Sequence, residues 1–195
     1  MTQSDALNIL QTGANVFLTG EPGSGKTHTV NAYVAWLRSH GIEPSITAST
    51  GIAATHIRGM TIHSWSGLGI LNRLTPVDLD RIASKEHVVK RIQKTRVLII
   101  DEVSMLSGTV LEMVDEIARE VRHSDKPFGG IQIVLVGDFF QLPPVSRAGT
   151  EAHFAFTSSV WRALNPLTCY LTEQHRQDSI RTFEREHGLR VYVRE

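Results

Sequence analysis

The sequence predicts an α/β fold in which a parallel sheet lies between two layers of helices. Four apolar runs rich in β-branched residues have the composition of strands that are buried on both faces. These runs are residues 15–20 (NVFLTG), 45–49 (SITAS), 96–101 (RVLIID) and 131–138 (IQIVLVGD). Helical patterns separate them, and parallel neighbours need such crossover connections. The alternation therefore favours a three-layer fold with helices on both faces of one sheet.

Two of the helical patterns carry a clear apolar stripe. Residues 26–38 place Val30, Val34 and Leu37 on one side of the first helix. Residues 110–121 have four apolar side chains at helical spacing, namely Leu111, Val114, Ala118 and Val121. Each stripe predicts a helix that packs one face against the sheet.

The remaining elements are predicted from weaker patterns. Residues 62–68 are expected to form a short helix, and the more polar residues 70–96 one or two peripheral helices. The run LTCYL at 167–171 is a fifth candidate strand, at an edge or late in the sheet. We find no repeats or low-complexity segments.

The composition is that of an ordinary globular protein. The 195 residues suffice for one domain, and 41% are hydrophobic. Lys+Arg and Asp+Glu both number 20, so any nucleic-acid site must be a local patch. The single cysteine, Cys169, excludes a disulfide framework and fits a reducing compartment. The nine histidines show no metal-ligand spacing.

Location is predicted from what the N-terminal residues contain. The start MTQSDALNIL has no basic, apolar secretory pattern, and no segment of the sequence approaches a membrane span. We therefore expect a cytoplasmic or nucleoid protein, nuclear or mitochondrial in a eukaryote, with no membrane partner.

The segment from Gly20 to Thr27, GEPGSGKT, matches the G-x-x-x-x-G-K-[ST] phosphate-loop pattern. It follows a predicted strand and opens a predicted helix, which is the context that this pattern requires. Backbone N–H groups of such a loop converge on phosphate oxygens at the helix N-terminus. Lys26 is predicted to bind the β- and γ-phosphates of ATP, and Thr27 to bind Mg²⁺. The other predicted nucleotide-binding residues here are Gly20, Gly23, Ser24, Gly25 and His28.

Two acids, Asp101 and Glu102, end the third predicted strand. Ligands bind at the carboxyl ends of strands in open parallel sheets. We expect Asp101 to hold Mg²⁺ through water and Glu102 to be the general base for the attacking water. Adjacent acids after a strand also suit a helix N-cap, but the phosphate loop upstream favours hydrolysis.

Beyond the fourth predicted strand, VGDFFQLPPV places Asp138 and Gln141 beside the expected γ-phosphate. A polar side chain there can sense hydrolysis. The rigid Leu142-Pro143-Pro144 that follows can transmit the change as a loop displacement.

These motifs together resemble the first RecA-like domain of the PIF (petite integration frequency) family of DNA helicases, in helicase superfamily one. Four further stretches carry the resemblance: residues 47–69 (TASTGIAATHIRGMTIHSWSGLG), DEVSML at 101–106, residues 111–145, and LTEQHRQ at 171–177. The resemblance implies a RecA-like P-loop NTPase and an ATP- and Mg²⁺-dependent 5′ to 3′ DNA helicase. The implied partners are single-stranded DNA and duplex or structured DNA junctions. It also implies a monomer, with roles in repair, recombination or telomere maintenance.

The resemblance also assigns individual residues. Gln3 matches an adenine-reading glutamine, although an exposed polar residue before the first helix explains it equally well. Arg176 matches an arginine that approaches the γ-phosphate. The implied single-strand track comprises Thr50, Gly51, Thr61, His63, Ser64 and Trp65. Of these, Trp65 is either a base-stacking face or a core residue, and the helical pattern slightly favours the core.

One basic run lies between residues 81 and 96. It contains one acidic residue, Glu86, and six basic residues: Arg81, Lys85, Lys90, Arg91, Lys94 and Arg96. A DNA-facing patch is one interpretation, and a solvated helix face is the preferred one.

Two other functions stay open from the sequence. The first is a stand-alone ATP- and single-strand-binding module without unwinding activity; the second is a RecD-type or AAA-type ATPase. We expect residues 1–177 to be the first RecA-like domain and residues 178–195 a divergent tail, with the second RecA-like domain lacking. On that expectation, the chain alone has weak activity, because a second domain supplies arginine fingers.

Overall fold

The structure is a computed structural model that describes residues 1–57, 59–144 and 153–172, with the side chain of His56 left out. In this part of the chain, one sheet contains six parallel strands in the order β3-β2-β4-β5-β1-β6. The strands are β1 (Val16–Gly20), β2 (Ser45–Ala48), β3 (Met60–Thr61), β4 (Val97–Asp101), β5 (Gln132–Val136) and β6 (Leu167–Leu171). The four predicted strands are confirmed, and LTCYL forms the edge strand β6. The short β3 was not predicted.

Eight α-helices connect and flank these strands in the described residues. They are α1 (Gln3–Gln11), α2 (Lys26–Ser39), α3 (Gly51–His56), α4 (Ile62–Ser66), α5 (Pro76–Ala83), α6 (Glu86–Lys94), α7 (Gly108–Arg122) and α8 (Ser159–Leu164). The described residues also contain three short 3-10 turns: Val103–Met105, Pro127–Gly130 and Ala155–Thr157. The helices predicted over 26–38 and 110–121 are confirmed as α2 and α7, and residues 70–96 contain two helices, α5 and α6. Among the described residues, no helix combines the length and the apolar character that crossing a membrane requires.

Two separate apolar cores cover the two faces of the sheet. Along β4, Leu98 and Ile100 point into one core, whereas Val97 and Ile99 point into the other. This alternation follows from the period of two in a strand. Helices α4 to α8 pack on the first face, and α1 and α2 pack on the second. The predicted three-layer α/β architecture is therefore confirmed.

The C-terminal end of α7 is fastened to its neighbours by Arg122. The Nε atom of Arg122 donates to the carbonyl of Gly129 at 2.8 Å. Its Nη1 atom donates at 3.2 Å to three carbonyls around the end of α6, those of Ile92, Gln93 and Thr95. A half-buried guanidinium thus adds hydrogen bonds to carbonyls at the end of α6, where the helix itself leaves carbonyls short of donors.

We predict that Arg122→Met lowers the free energy of unfolding by about 1.5–3 kcal/mol, the usual contribution of hydrogen bonds from a charged group. Urea unfolding followed by circular dichroism measures the change. Arg38→Met is the matched control, because Arg38 forms only an exposed ion pair with Glu43. The control should change the free energy by less than about 1 kcal/mol. Equal effects of the two substitutions would contradict the role of Arg122.

Candidate active site

The strand order brings three chemically distinct segments to one edge of the sheet. Strand β5 lies between β1 and β4, with Leu18 opposite Val136 and Ile100 opposite Leu135. All three strands are parallel, so their carboxyl ends meet at the same edge. The segments that leave this edge are the phosphate loop after β1, the acid pair at the end of β4 and the polar turn after β5.

Glycine is required at both ends of the phosphate loop. A Cβ atom at Gly20 would lie 2.6 Å from the carbonyl oxygen of Leu171 and 2.7 Å from Ser24 Oγ. Gly25 has a left-handed conformation, with φ of 91°, at the point where α2 begins. Neither position accepts a larger residue without displacement or strain. The loop therefore curls tightly and presents the N-terminus of α2 to the sheet edge.

Two side chains contact the phosphate loop. Lys26 Nζ donates to the carbonyls of Gly20 at 2.7 Å and Glu21 at 3.2 Å. Gln3 Nε2 donates to the carbonyl of Ser24 at 3.3 Å, and a Cβ on Gly25 would lie only 1.9 Å from this atom. Gln3 is thus packed on the loop from the first turn of α1. Its adenine-reading role remains a prediction.

The acid pair lies in a partly buried position that raises both pKa values. Burial raises the pKa of Asp101, although a hydrogen bond from the Glu102 N–H at 2.9 Å and the nearby charge of Lys26 oppose the shift. Burial also raises the pKa of Glu102. The negative charges of Asp101 and Asp138 raise this pKa further, whereas the positive charge of Lys26 lowers it. A carboxylate with a raised pKa is a better proton acceptor, as a general base requires.

The polar turn after β5 is held together by Asp138, which is only 8% exposed. Its Oδ1 atom accepts a hydrogen bond from the Phe140 N–H at 3.0 Å, and its Oδ2 atom accepts one from Gln141 Nε2 at 3.2 Å. Gln141 itself is exposed. The hydrogen bonds of Asp138 therefore fix the turn, and the turn presents Gln141 at the carboxyl ends of the strands.

A cavity of about 480 Å³ joins the predicted hydrolytic residues. Its lining includes Thr27, Thr50, Asp101, Glu102, Ser104, Met105 and Gln141. Sequence reasoning missed Ser104 and Met105 as site residues. Their position just after the acid pair in DEVSML is the only signal that the sequence contains for them.

The residues of this cavity fit a magnesium ion. The Thr27 hydroxyl and the Asp101 carboxylate line the same space, and both are hard oxygen ligands. Mg²⁺ in nucleotide sites is bound by one or two such groups, together with waters and substrate phosphates. The assignment of these two residues to the metal remains a prediction.

Two hydroxyls of the predicted single-strand track are helix N-caps. Thr50 Oγ1 accepts from the Ala53 N–H at 3.2 Å and begins α3, where Gly51 is exposed. Thr61 Oγ1 accepts from the Ser64 N–H at 3.1 Å and begins α4. Caps of this kind fix the direction in which a helix starts. The exposed Ser64 and the half-buried His63 lie in the first turn of α4.

Trp65 does not present a stacking face. The side chain is 1% exposed and packs in the core with Ile62, Leu68 and Ile82. The predicted contact of Trp65 with a DNA base is therefore wrong, because α4 directs this position toward the sheet. The favoured interpretation of a core residue is confirmed.

Half of the basic run is engaged within the protein. Arg81 pairs with Asp78 at 2.6 Å, and Lys90 pairs with Glu86. Arg91 donates to the carbonyls of Trp65 at 2.9 Å and Ser64 at 2.8 Å. These contacts support a solvated helix face over a DNA-facing patch. Arg176 and residues 178–195 lie outside the described residues.

Comparison with known proteins identifies relatives of this chain. The family model described as PIF1-like helicase matches residues 4–190. The relative named ATP-dependent DNA helicase Pif1 from Psychrobacter sp. (strain PRwf-1) is 54% identical over 181 residues, which cover 92% of this chain and 28% of that protein. The chain thus spans less than a third of that relative.

Solved structures show the same fold. The crystal structure of Pif1 helicase from Candida albicans has a TM-score of 0.84 and 39% identity, covering 93% of this chain and 41% of that chain. Pif1 helicase from Bacteroides in complex with ADP-AlF3 and ssDNA has a TM-score of 0.78 and 32% identity, covering 96% of this chain and 46% of that chain.

We predict that Glu102→Gln raises the melting temperature at neutral pH. The folded-state pKa of Glu102 is raised, so its favourable contribution is complete below the unfolded pKa and is lost as pH rises through the folded pKa. Glutamine stays neutral and avoids this loss. The gain should therefore shrink as pH falls through the raised folded-state pKa of Glu102, and it should be lost below the ordinary glutamate pKa of about 4.3.

Differential scanning calorimetry across this pH range measures the effect. Glu116→Gln is the control, because Glu116 is exposed on α7 and outside the cavity. A Glu102→Gln gain that is absent, or that does not depend on pH, would refute the buried-charge explanation.

Proposed function

The chain belongs to the PIF1-like helicase family, and we propose that it carries the ATP-binding domain of an ATP-dependent DNA helicase. The observation that carries this proposal is the single cavity shared by Thr27, Asp101, Glu102 and Gln141. Residues that are far apart in sequence meet there, and their side chains supply the kinds of group that hydrolysis of a nucleotide uses, which supports the proposal. The chain spans 28% of the Psychrobacter relative, so unwinding and its 5′ to 3′ polarity are proposed for the whole protein.

Nucleotide binding is proposed to begin with the phosphate loop. The N–H groups at the start of α2 bind phosphate oxygens, helped by the positive end of the helix dipole. Lys26 exchanges its two loop carbonyls for the β- and γ-phosphates, which are stronger partners for an ammonium group. Gln3 lies against Ser24 and contacts the adenine end of the nucleotide.

Hydrolysis is assigned to the acid pair and the turn after β5. When bound, Mg²⁺ would neutralise charge that develops on the phosphates, with Thr27 and Asp101 as its protein partners. Glu102 accepts a proton from the attacking water, which its raised pKa favours. Gln141 contacts the γ-phosphate region, and Asp138 holds its amide in place. Loss of the γ-phosphate then alters the turn that Asp138 anchors.

Coupling to DNA is proposed to run through the same cavity. Thr50, the N-cap of α3, lines the cavity together with Glu102 and Gln141. Loss of the γ-phosphate can therefore reach α3 through one side chain, that of Thr50. The Bacteroides relative was solved with ADP-AlF3 and ssDNA together, which supports binding of both ligands by one protein.

We predict that Lys26→Ala weakens ATP binding at least about tenfold, because a hydrogen bond from a charged group contributes about 1.5–3 kcal/mol. Fluorescence titration with a labelled ATP measures the affinity. Lys126→Ala is the control, since Lys126 is exposed and lies outside the phosphate loop. Unchanged affinity in Lys26→Ala would show that the nucleotide binds elsewhere.

We predict that the double substitution His63→Ala and Ser64→Ala weakens binding of an oligo-dT strand roughly 3- to 10-fold, the equivalent of one or two hydrogen bonds. Fluorescence anisotropy measures the affinity, and ATP affinity should not change. Thr168→Ala is the control, because Thr168 is exposed on β6 at the opposite edge of the sheet. Equal strand affinity in wild type and double variant would exclude α4 from the track.

A further inference from the structure

Buried hydroxyl groups without partners concentrate at the edge of the sheet that carries the proposed ATP site. Across residues 1–57, 59–144 and 153–172, four buried side-chain polar atoms have no hydrogen-bond partner: Ser24 Oγ, Ser49 Oγ, Ser104 Oγ and Trp65 Nε1. The three serines follow β1, β2 and β4. A buried polar group without a partner is unfavourable, and such groups point to a ligand, a water or a catalytic role.

Ser104 is the serine of this group that lines the 480 Å³ cavity. It is 1% exposed, and it shares the lining with Glu102 and Gln141. Ser104 therefore lines the same cavity as Glu102, the proposed general base for the attacking water.

The backbone holds Ser104 in a fixed position. It lies in the 3-10 turn Val103–Met105, closed by the Met105 N–H to Glu102 carbonyl bond at 3.1 Å. Val103 is fully buried and anchors the turn in the core. A fixed side chain binds a ligand at a smaller loss of conformational entropy.

Gly137 allows this turn to lie close to β5. A Cβ atom on Gly137 would be 3.0 Å from the Val103 N atom and 3.3 Å from the Ser104 N atom. Any larger residue would push the turn away from the polar segment that follows β5. The close approach brings the backbone of Ser104 next to Gly137, one residue before Asp138.

We propose that the Ser104 hydroxyl binds the water molecule that attacks the γ-phosphate, and that it holds this water against Glu102. The proposal rests on the ATP hydrolysis proposed above. Ser104 Oγ accepts a hydrogen bond from one O–H of the water, and the Glu102 carboxylate accepts the other. The water oxygen forms a bond to the γ-phosphorus, and the bond from that phosphorus to the β–γ bridging oxygen breaks. The products are ADP and inorganic phosphate, and the proton on Glu102 passes to solvent.

The position of Ser104 favours the attacking water over a water of the magnesium shell. In-line displacement puts the attacking water opposite the leaving ADP, and hence away from the phosphate loop. Ser104 follows Glu102 by two residues in the turn after β4, and both line the cavity, whereas Thr27 lies at the start of α2.

The test measures ATP turnover, magnesium requirement and melting temperature of the full chain carrying Ser104→Ala or Ser104→Cys. We expect kcat to fall about 3- to 10-fold in both variants, because each lacks the hydroxyl acceptor. ATP affinity and magnesium requirement should stay unchanged. The melting temperature without nucleotide should not fall, because the hydroxyl has no partner within the described residues.

Ser158→Ala is the matched control for a buried serine with a structural role. Ser158 Oγ donates to the Ala155 carbonyl and accepts from the Trp161 N–H, so its loss should lower the melting temperature and leave kcat unchanged. A similar drop in melting temperature for Ser104→Ala, with normal kcat, would identify a structural water and overturn the proposal. A fall in kcat in Ser104→Ala but not in Ser104→Cys would indicate packing and overturn it too.

Three further outcomes separate this proposal from the function on which it rests. A raised magnesium requirement with unchanged kcat would assign Ser104 to the metal shell and refute the attacking-water role. Wild-type hydrolysis that is equalled by both Ser104 variants would remove Ser104 from the site and leave the ATPase proposal intact. A wild-type chain that neither binds nor hydrolyses ATP would overturn both proposals.

Discussion

A parallel sheet brings the carboxyl ends of all its strands to one edge, and the site depends on this geometric constraint. The order β3-β2-β4-β5-β1-β6 puts β5 between the strand of the phosphate loop and the strand of the acid pair. Asp138 and Gln141 therefore follow the strand that lies between the phosphate loop and the acid pair. Two apolar cores hold the sheet between its helices, so the positions of the strands are set by burial rather than by the polar groups themselves.

Local sequence patterns predicted the features that depend on neighbouring residues alone, namely the strands and the phosphate loop. The strands were visible as doubly buried runs, and the phosphate loop was visible because glycines are required at Gly20 and Gly25. The residues next to Trp65 in the sequence could not fully predict its burial. That burial depends on packing with residues of α5 and α6, such as Ile82 and Val88. Strand β3 has two residues, too few for alternation to appear. Ser104 became visible only when the cavity joined it to Glu102 and Gln141.

The site keeps groups that oppose folding. Asp101 and Glu102 carry neighbouring carboxylates in a partly buried space, which raises both pKa values. Three buried serine hydroxyls at the same edge have no partner in the described ranges. Stability comes from elsewhere, including the two cores and the carbonyls bound by Arg122. Stabilising contacts and reactive groups thus lie in different parts of the domain. Such an arrangement is typical of enzymes, whose reactive groups are held by a scaffold that they do not themselves stabilise.

The central claim is that one cavity at the sheet edge is the ATP hydrolysis site of a PIF1-like helicase domain. A crystal structure of the chain with Mg²⁺, ADP and aluminium fluoride tests this most directly. We expect the phosphates within the loop from Gly20 to Thr27, the metal beside Thr27 and Asp101, and an ordered water between Glu102 and the fluoride group. A nucleotide bound outside this cavity, or phosphates that do not contact Lys26, would contradict the account.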